Sequence, residues 1–276
     1  MDLTRIEDLK TALQLAGLQA RKGLGQHFLV DRDSLRAVVA AGELTSADTV
    51  VEVGPGLGVM TGLLTEAAKA VVAVELDAAL AELLERDRPS NLTVIQADIL
   101  RLDLRQFPAG YKVVANIPYY LTSQLFRLFL EAPNRPQLLS VLIQKEVAER
   151  ITAVPGKMSV LALSVQYYAT ATLVQVVERQ KFWPPPKVDS AILQVKVRKR
   201  PAFPADREKL FRLIKAGFGE KRKMLKNSLA GGLNISLDLA TTLVEKAKLP
   251  AAARAQELAL EDWERLYQVT IADSLL

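Results

Sequence analysis

Four strand-like stretches of the 276-residue chain each end in residues able to hold or activate a ligand. The first runs into EVGPGLGVMTGLL, where Gly54, Gly56 and Gly58 precede a helical run. Glycine lets the backbone turn sharply and come close to a ligand, at the strand edge where open α/β folds bind them. The second ends in VVAVELD and places Glu75 twenty-one positions beyond Gly54, a spacing at which a carboxylate accepts hydrogen bonds from ribose hydroxyls. The third ends in IQAD at Asp98, and the fourth in VVANIPYYLTS at Asn116. The amide oxygen of Asn116 and a backbone carbonyl near Ile117 or Pro118 can accept hydrogen bonds from an aromatic amine. Such an amine is a poor nucleophile because its lone pair is delocalised into the ring, and acceptors favour a pyramidal nitrogen with that lone pair directed at a methyl group. Tyr119 offers a face for a flat base, worth about 1–3 kcal/mol. Taken singly, each carboxylate also reads as a strand end facing water, and Tyr119 and Tyr120 as packed core.

The cofactor follows from what these groups can and cannot bind. A nicotinamide dinucleotide requires GxGxxG spacing to seat its pyrophosphate, whereas this chain has GPGLG followed by Val59 and Met60. S-adenosylmethionine has no phosphate; it needs an acid for its ribose and a polar contact for its adenine amine, which Glu75 and Asp98 supply. With no cysteine and His27 as the only histidine, disulfides, thiolate metal sites, a Cys nucleophile and a His-cluster metal site are excluded.

The elements that carry these residues alternate. Apolar runs at Thr49–Val53, Ala70–Leu76, Leu92–Ala97, Lys112–Ile117 and Leu138–Gln144 are separated by helical stretches, the pattern of a parallel sheet covered on both faces. Ala171–Glu178 and Ala191–Val197, joined by RQKFWPPPKVDS, read as an antiparallel pair at one edge. Beyond Pro201 only helices are predicted: Arg207–Phe218, Lys221–Ala230, Leu237–Lys248 and Leu260–Gln268, with GG and LP breaks between them. The expected domains are therefore residues 1–200, α/β, and 201–276, all α. From Arg198 to Lys226, eleven basic residues stand against three acidic ones, within a chain of net charge +5. That excess reads either as a solvated helix face or as a phosphate-binding surface. Lys221, Arg222, Lys223 and Lys226 are placed at a helix start, where cations oppose the dipole. No apolar run approaches the roughly 20 residues of a membrane span, and the N-terminus is too charged for a signal peptide; a cytoplasmic protein without membrane association is expected.

Together the motifs resemble those of the ribosomal RNA adenine dimethyltransferases. GQHFL (Gly25–Leu29), EVGPGLGVMT (Glu52–Thr61), Glu75, QAD ending at Asp98, NIPYY (Asn116–Tyr120), QKEVAERI (Gln144–Ile151) and FWPPPKVDSA (Phe182–Ala191) follow that family's order over nearly the whole chain. The resemblance implies a class I methyltransferase domain, Rossmann-like with a seven-stranded mixed sheet, and a small all-α C-terminal domain that binds RNA. It also implies S-adenosylmethionine as donor and dimethylation of two adjacent adenosines near the 3′ end of 16S rRNA in the immature small subunit; a monomer without metal is expected. Carried over by position, His27, Leu29, Gly54, Glu75, Asp98 and Asn116 bind the donor, Asn116 also meets the target amine, Tyr119 and Phe182 sandwich the target base, and Lys221, Arg222, Lys223 and Lys226 hold RNA. Tyr120 departs from the Asn of several relatives, and VPGKMSVLA (Val154–Ala162) lacks their Tyr-Gly. Competing expectations are the antibiotic-resistance branch acting on 23S rRNA, an RNA-binding assembly factor without catalysis, and a nicotinamide oxidoreductase disfavoured by its glycine spacing.

Overall fold

The computed structural model describes residues 1–15, 17–18, 26–86, 88–220 and 222–276. Its internal contacts divide the chain into two units, Met1–Ala148 with Thr170–Lys199, and Glu149–Ala169 with Arg200–Leu276. A boundary at residue 200 thus leaves out Glu149–Ala169, which packs with the C-terminal helices rather than with the sheet.

The first unit begins with α1 (Ile6–Leu15), β1 (Phe28–Leu29) and α2 (Arg32–Ala41). Then β2 (Thr49–Val53), β3 (Ala70–Glu75), β4 (Leu92–Gln96), β5 (Lys112–Asn116) and β6 (Leu138–Gln144) alternate with α3 (Val59–Ala67), α4 (Ala78–Arg86) and α5 (Thr122–Glu131). After α6 (Lys145–Ile151) and α7 (Val160–Gln166), the chain returns through β7 (Ala169–Val177), β8 (Phe182–Trp183) and β9 (Ser190–Val197). The seven-stranded sheet has the order β4-β3-β2-β5-β6-β9-β7, parallel from β4 to β6 and antiparallel between β6 and β9. The last two strands close one edge as expected, with the later strand, β9, inserted inside the earlier one. Central strands rich in Val and Ile are apolar on both faces because helices cover both. Val50, Val51, Val113, Val114, Val141 and Ile143 are all buried, each stabilising the fold by about 1.5–3 kcal/mol.

Connectivity sets the position of the cleft. From β2 the chain winds one way through β3 and β4, then restarts on the other side of β2 with β5. The loops leaving β2 and β5 therefore part in opposite directions, opening a crevice beyond the strand ends. Antiparallel pairing of β1 with β8, Phe28 opposite Trp183 and Leu29 opposite Phe182, brings the HFL segment and the proline-rich loop together. α1 buries Leu9 and Leu13 in a cluster with Phe28, Leu57 and Leu80, which ties the N-terminal segment to the glycine-rich turn.

In the second unit, α8 (Arg207–Gly217), α9 (Leu225–Leu233), α10 (Leu237–Lys246) and α11 (Leu260–Ala272) pack around a fully buried Trp263, on which Phe218 stacks at 5.8 Å. Two sequence expectations change here. α9 starts at Leu225, not Lys221; Met224 at its cap is extended, and the Lys223 amide closes a turn onto the Glu220 carbonyl. Three cations in a first turn would oppose the helix dipole, and Arg222 and Lys223 lie before the helix begins. Nor does the pair Gly231–Gly232 break the helix, which continues to Leu233 and stops at Asn234 in the left-handed region, φ 56°. Gly232 instead lets α9 pass close to α8, since a Cβ there would lie 2.6 Å from Ala216 Cα. A Cβ on Gly231 would meet nothing within 4 Å. Alanine is worth about 1 kcal/mol over glycine inside a helix, whereas overpacking costs about 1–3 kcal/mol. Thermal unfolding should therefore show opposite signs at adjacent positions: Gly231→Ala holds or raises the melting temperature, and Gly232→Ala lowers it.

Candidate active site

The ends of β2, β3, β4 and β5 open on one cleft. His27, Leu29, Gly54, Glu75, Asp98, Asn116 and Tyr119 all line it, so the structure brings together every expected donor-side residue and the expected acceptor.

The glycine-rich turn is left-handed at Gly54 (φ 67°), Gly56 (φ 59°) and Gly58 (φ 80°), conformations that side-chain-bearing residues avoid. A Cβ at Gly54 would meet nothing within 4 Å, so the requirement for glycine there is one of backbone conformation beside open space. The Gly56 amide donates to Glu75 Oε2 at 3.0 Å and the Asp77 amide to Oε1 at 2.9 Å. Glu75 is therefore locked across the turn, with lone pairs left on both oxygens. Burial pushes its carboxyl above the usual range, against the pull of those amides. Asp98 caps a single 3-10 turn by accepting from the Leu100 amide at 3.0 Å, with Arg101 beside its other oxygen at 3.6 Å.

Asn116 is oriented by backbone. Its Nδ2 donates to the His27 carbonyl at 2.9 Å, which leaves Oδ1 as the outward acceptor. His27 is itself held by Nδ1 donating to the Pro184 carbonyl at 2.6 Å, a partner that can only accept. Its ring stacks on Tyr119 with centroids 6.1 Å apart and planes 25° apart. The Tyr119 hydroxyl pairs with Ser190 Oγ at 2.8 Å, and burial raises its phenol pKa. Three segments distant in sequence thus fix one amide and one ring.

Phe182 lies elsewhere. It is 2 % exposed, packed in the core with Leu29, Leu35 and Ile192, and is not among the residues lining the cleft. The sandwich with Tyr119 is not formed in this geometry; pairing of Phe182 opposite Leu29 turns the ring inward. Tyr120 is 57 % exposed and reaches the cleft rim, so it is not core. Of the basic cluster, Lys221 lies outside the described residues, Arg222 is exposed, Lys223 pairs with Glu220 at 2.6 Å, and Lys226 is half-buried in the first turn of α9. Arg222, Lys223 and Lys226 belong to the second unit and do not line the cleft.

Sequence reasoning assigned no role to Glu52 or Ser190. Glu52 is fully buried in the cleft wall, its Oε2 accepting from Thr61 Oγ1 at 2.6 Å and its Oε1 without a partner. Burial pushes its carboxyl up to about 8. The signal was one acid inside the apolar strand TVVEV; for Ser190 no comparable signal exists.

Comparison with known proteins agrees with this geometry. The family model described as ribosomal RNA adenine dimethylase matches residues 17–271. The chain is 44 % identical over 255 residues to the ribosomal RNA small subunit methyltransferase A of Dehalococcoides mccartyi strain 195, covering 90 % of this chain and 88 % of that protein. Among solved structures, a dimethyladenosine transferase from Plasmodium falciparum superposes with a TM-score of 0.80 at 25 % identity, covering 90 % of this chain and 98 % of that one. The 23S rRNA methyltransferase ErmE gives 0.71 at 28 % identity, covering 88 % and 98 %. With a family match over almost its whole length and an α/β fold shared with these enzymes, the chain belongs to the ribosomal RNA adenine dimethylase family.

Proposed function

We propose that this protein dimethylates the N6 amines of two adjacent adenosines near the 3′ end of small-subunit ribosomal RNA, with S-adenosylmethionine as methyl donor. The observation that carries the reading is Asn116, whose amide nitrogen is committed to the His27 carbonyl, which frees its oxygen to accept in a cleft that Tyr119, Glu75 and Asp98 also line. The donor supplies an electrophilic methyl group; everything else falls to the chain. Glu75 accepts from the ribose, Asp98 from the adenine amine, and the turn at Gly54 admits the methionine part, with Leu29 and His27 forming the wall. The buried, unpaired Glu52 Oε1 shows that the wall carries polar capacity that the protein alone does not satisfy, as a polar ligand requires. Oδ1 of Asn116 accepts from the target amine and steers its lone pair, while Tyr119 stacks on the base. An extruded base of this kind must be held by its neighbours in the strand, a task assigned here to the basic residues of the helical C-terminal domain, residues 201–276. The setting is the immature small subunit in the cytoplasm.

The likeness to a 23S rRNA methyltransferase supports a second substrate, but its 28 % identity is well below the 44 % shared with a small-subunit relative. Methyl transfer to purified small and large subunits lacking the modification, followed by mapping of methylated nucleotides, decides the matter. Paired dimethyladenosines near the small-subunit 3′ end are expected; label confined to 23S rRNA would sink the reading.

Asn116→Ala should lower methyl transfer by orders of magnitude while leaving donor affinity within about tenfold, or about 1.4 kcal/mol; single-turnover kinetics beside calorimetry separate the two effects. Glu75→Ala should weaken the donor itself by about 1.5–3 kcal/mol through loss of a charge-assisted acceptor, and unchanged affinity would remove the ribose assignment. Reversing charge at Arg222 and Lys226 should weaken RNA binding and reduce its salt slope by about 0.7–0.9 for each phosphate that the variant no longer neutralises, with donor affinity unmoved. If affinity and slope are unaltered, the cluster is a solvated surface.

A further inference from the structure

Tyr119 presents a ring to the cleft, and packing alone cannot fix a ring whose face is left open for a base. The residue lies in a single 3-10 turn, Tyr119–Leu121, tied locally by Thr122 Oγ1 donating to its carbonyl at 3.0 Å. Beyond Cβ the side chain keeps its rotamer freedom unless its far end is held. That end is held from another strand, the phenol oxygen lying 2.8 Å from Ser190 Oγ. Ser190 is a fixed point. It opens β9, pairs across the sheet with Gln144 at the end of β6, and is fully buried. The residue before it is pinned as well, the Asp189 carbonyl accepting from the Lys145 amide at 3.0 Å and its carboxylate from the Arg179 amide at 3.1 Å.

A hydroxyl sealed from water has to find its partner within the protein, and for Ser190 that partner is the phenol of Tyr119. Solvent cannot replace the bond if it breaks, so the tether is held closed by the cost of an unpaired buried hydroxyl. Yet Ser190 is not among the residues lining the cleft. Whatever it does for a ligand, it does through Tyr119. We propose that Ser190 is a positioning residue for methyl transfer, its hydroxyl holding the Tyr119 ring at the angle from which a base presents its amine to Asn116. The assignment rests on the reading of Tyr119 as the surface on which the target base stacks. Its loss should lower rate more than affinity: a base resting on a loosened ring still binds, but its amine is misplaced, and a shift of about 1 Å costs up to about 10²-fold in rate.

Single-turnover methyl transfer to small subunits lacking the modification, with protein in excess, reads that positioning. Ser190→Ala should slow the step by about 10- to 100-fold, while calorimetry finds its affinity for S-adenosylhomocysteine unchanged and the protein concentration giving half the maximal rate moves little. Tyr119→Phe keeps the ring and removes the hydroxyl; the same fall is expected. The double variant should be no slower than either single one, because both changes remove one hydrogen bond. A packing role for Ser190 would instead slow the Tyr119→Phe protein further, and that outcome overturns the assignment. So does Ser190→Ala working at the wild-type rate, or losing ligand affinity in step with rate. If Ser190→Ala does not fold, Tyr119→Phe breaks the same bond from the cleft side, and a wild-type rate there overturns the assignment alone. Wild-type protein that transfers no methyl group to small subunits overturns the functional reading, and the assignment with it.

Discussion

The constraint on which the site depends is the reversal of winding at β2. Because β3 and β4 are laid down on one side of it and β5 on the other, the loops after β2 and β5 cannot cover the same space, and a cleft remains between them. Each residue of that cleft is then placed by backbone that a hydrophobic sheet has already positioned. Gly54 follows β2, Glu75 ends β3, Asp98 follows β4 and Asn116 ends β5. Parallel strands buried on both faces tolerate no slip in register without exposing Val and Ile, so the alignment of these four ends is secured by burial far from the chemistry.

Burial also sets the electrostatics. Glu52 and Glu75 lie at the ends of neighbouring parallel strands with their carboxyls held out of bulk water, and both are pushed toward the protonated form. Two mechanisms oppose that cost differently. Glu75 recovers part of it from the Gly56 and Asp77 amides, partial positive charges fixed by the turn. Glu52 has only a neutral hydroxyl. The two carboxyls thus differ in what holds them, Glu75 by two backbone amides and Glu52 by a single hydroxyl.

Much of this was legible in the sequence because it is carried by local pattern. Thr49–Val53 and Leu138–Gln144 coincide with β2 and β6 residue for residue, since a short β-branched or apolar run bounded by turn residues has few other uses. Gly54, Glu75, Asp98 and Asn116 were legible for the same reason, each within one or two positions of the end of such a run, whereas His27 and Leu29 were reached only through the family resemblance. What was not legible depends on pairing between distant segments. Nothing near FWPPP tells that Phe182 faces Leu29 across β1 and β8, and a Phe beside prolines reads equally well as loop or core. Ser190 acquires its role only because β9 inserts beside β6 and brings its hydroxyl under Tyr119. In the helical unit the error was one of electrostatics: periodicity extended α9 back to Lys221, while the cost of cations at its N-terminus begins it at Leu225.

The division of charge between the units bears on how an RNA could be used at all. The cleft wall offers Glu52, Glu75 and Asp98 and, among the described residues that line it, no lysine or arginine. No cation in such a wall can pair with a phosphate, and a nucleic acid gains nothing by lying along it. A neutral base needs no such partner, and its flat face can rest on Tyr119 while its amine meets Asn116. A preference for a base removed from its strand is thereby consistent with a lining that offers acceptors and no cation. In the proposed reading, affinity for the charged backbone has to come from surface outside the cleft, and the chain's excess of lysine and arginine between Arg198 and Lys226 is the candidate for it.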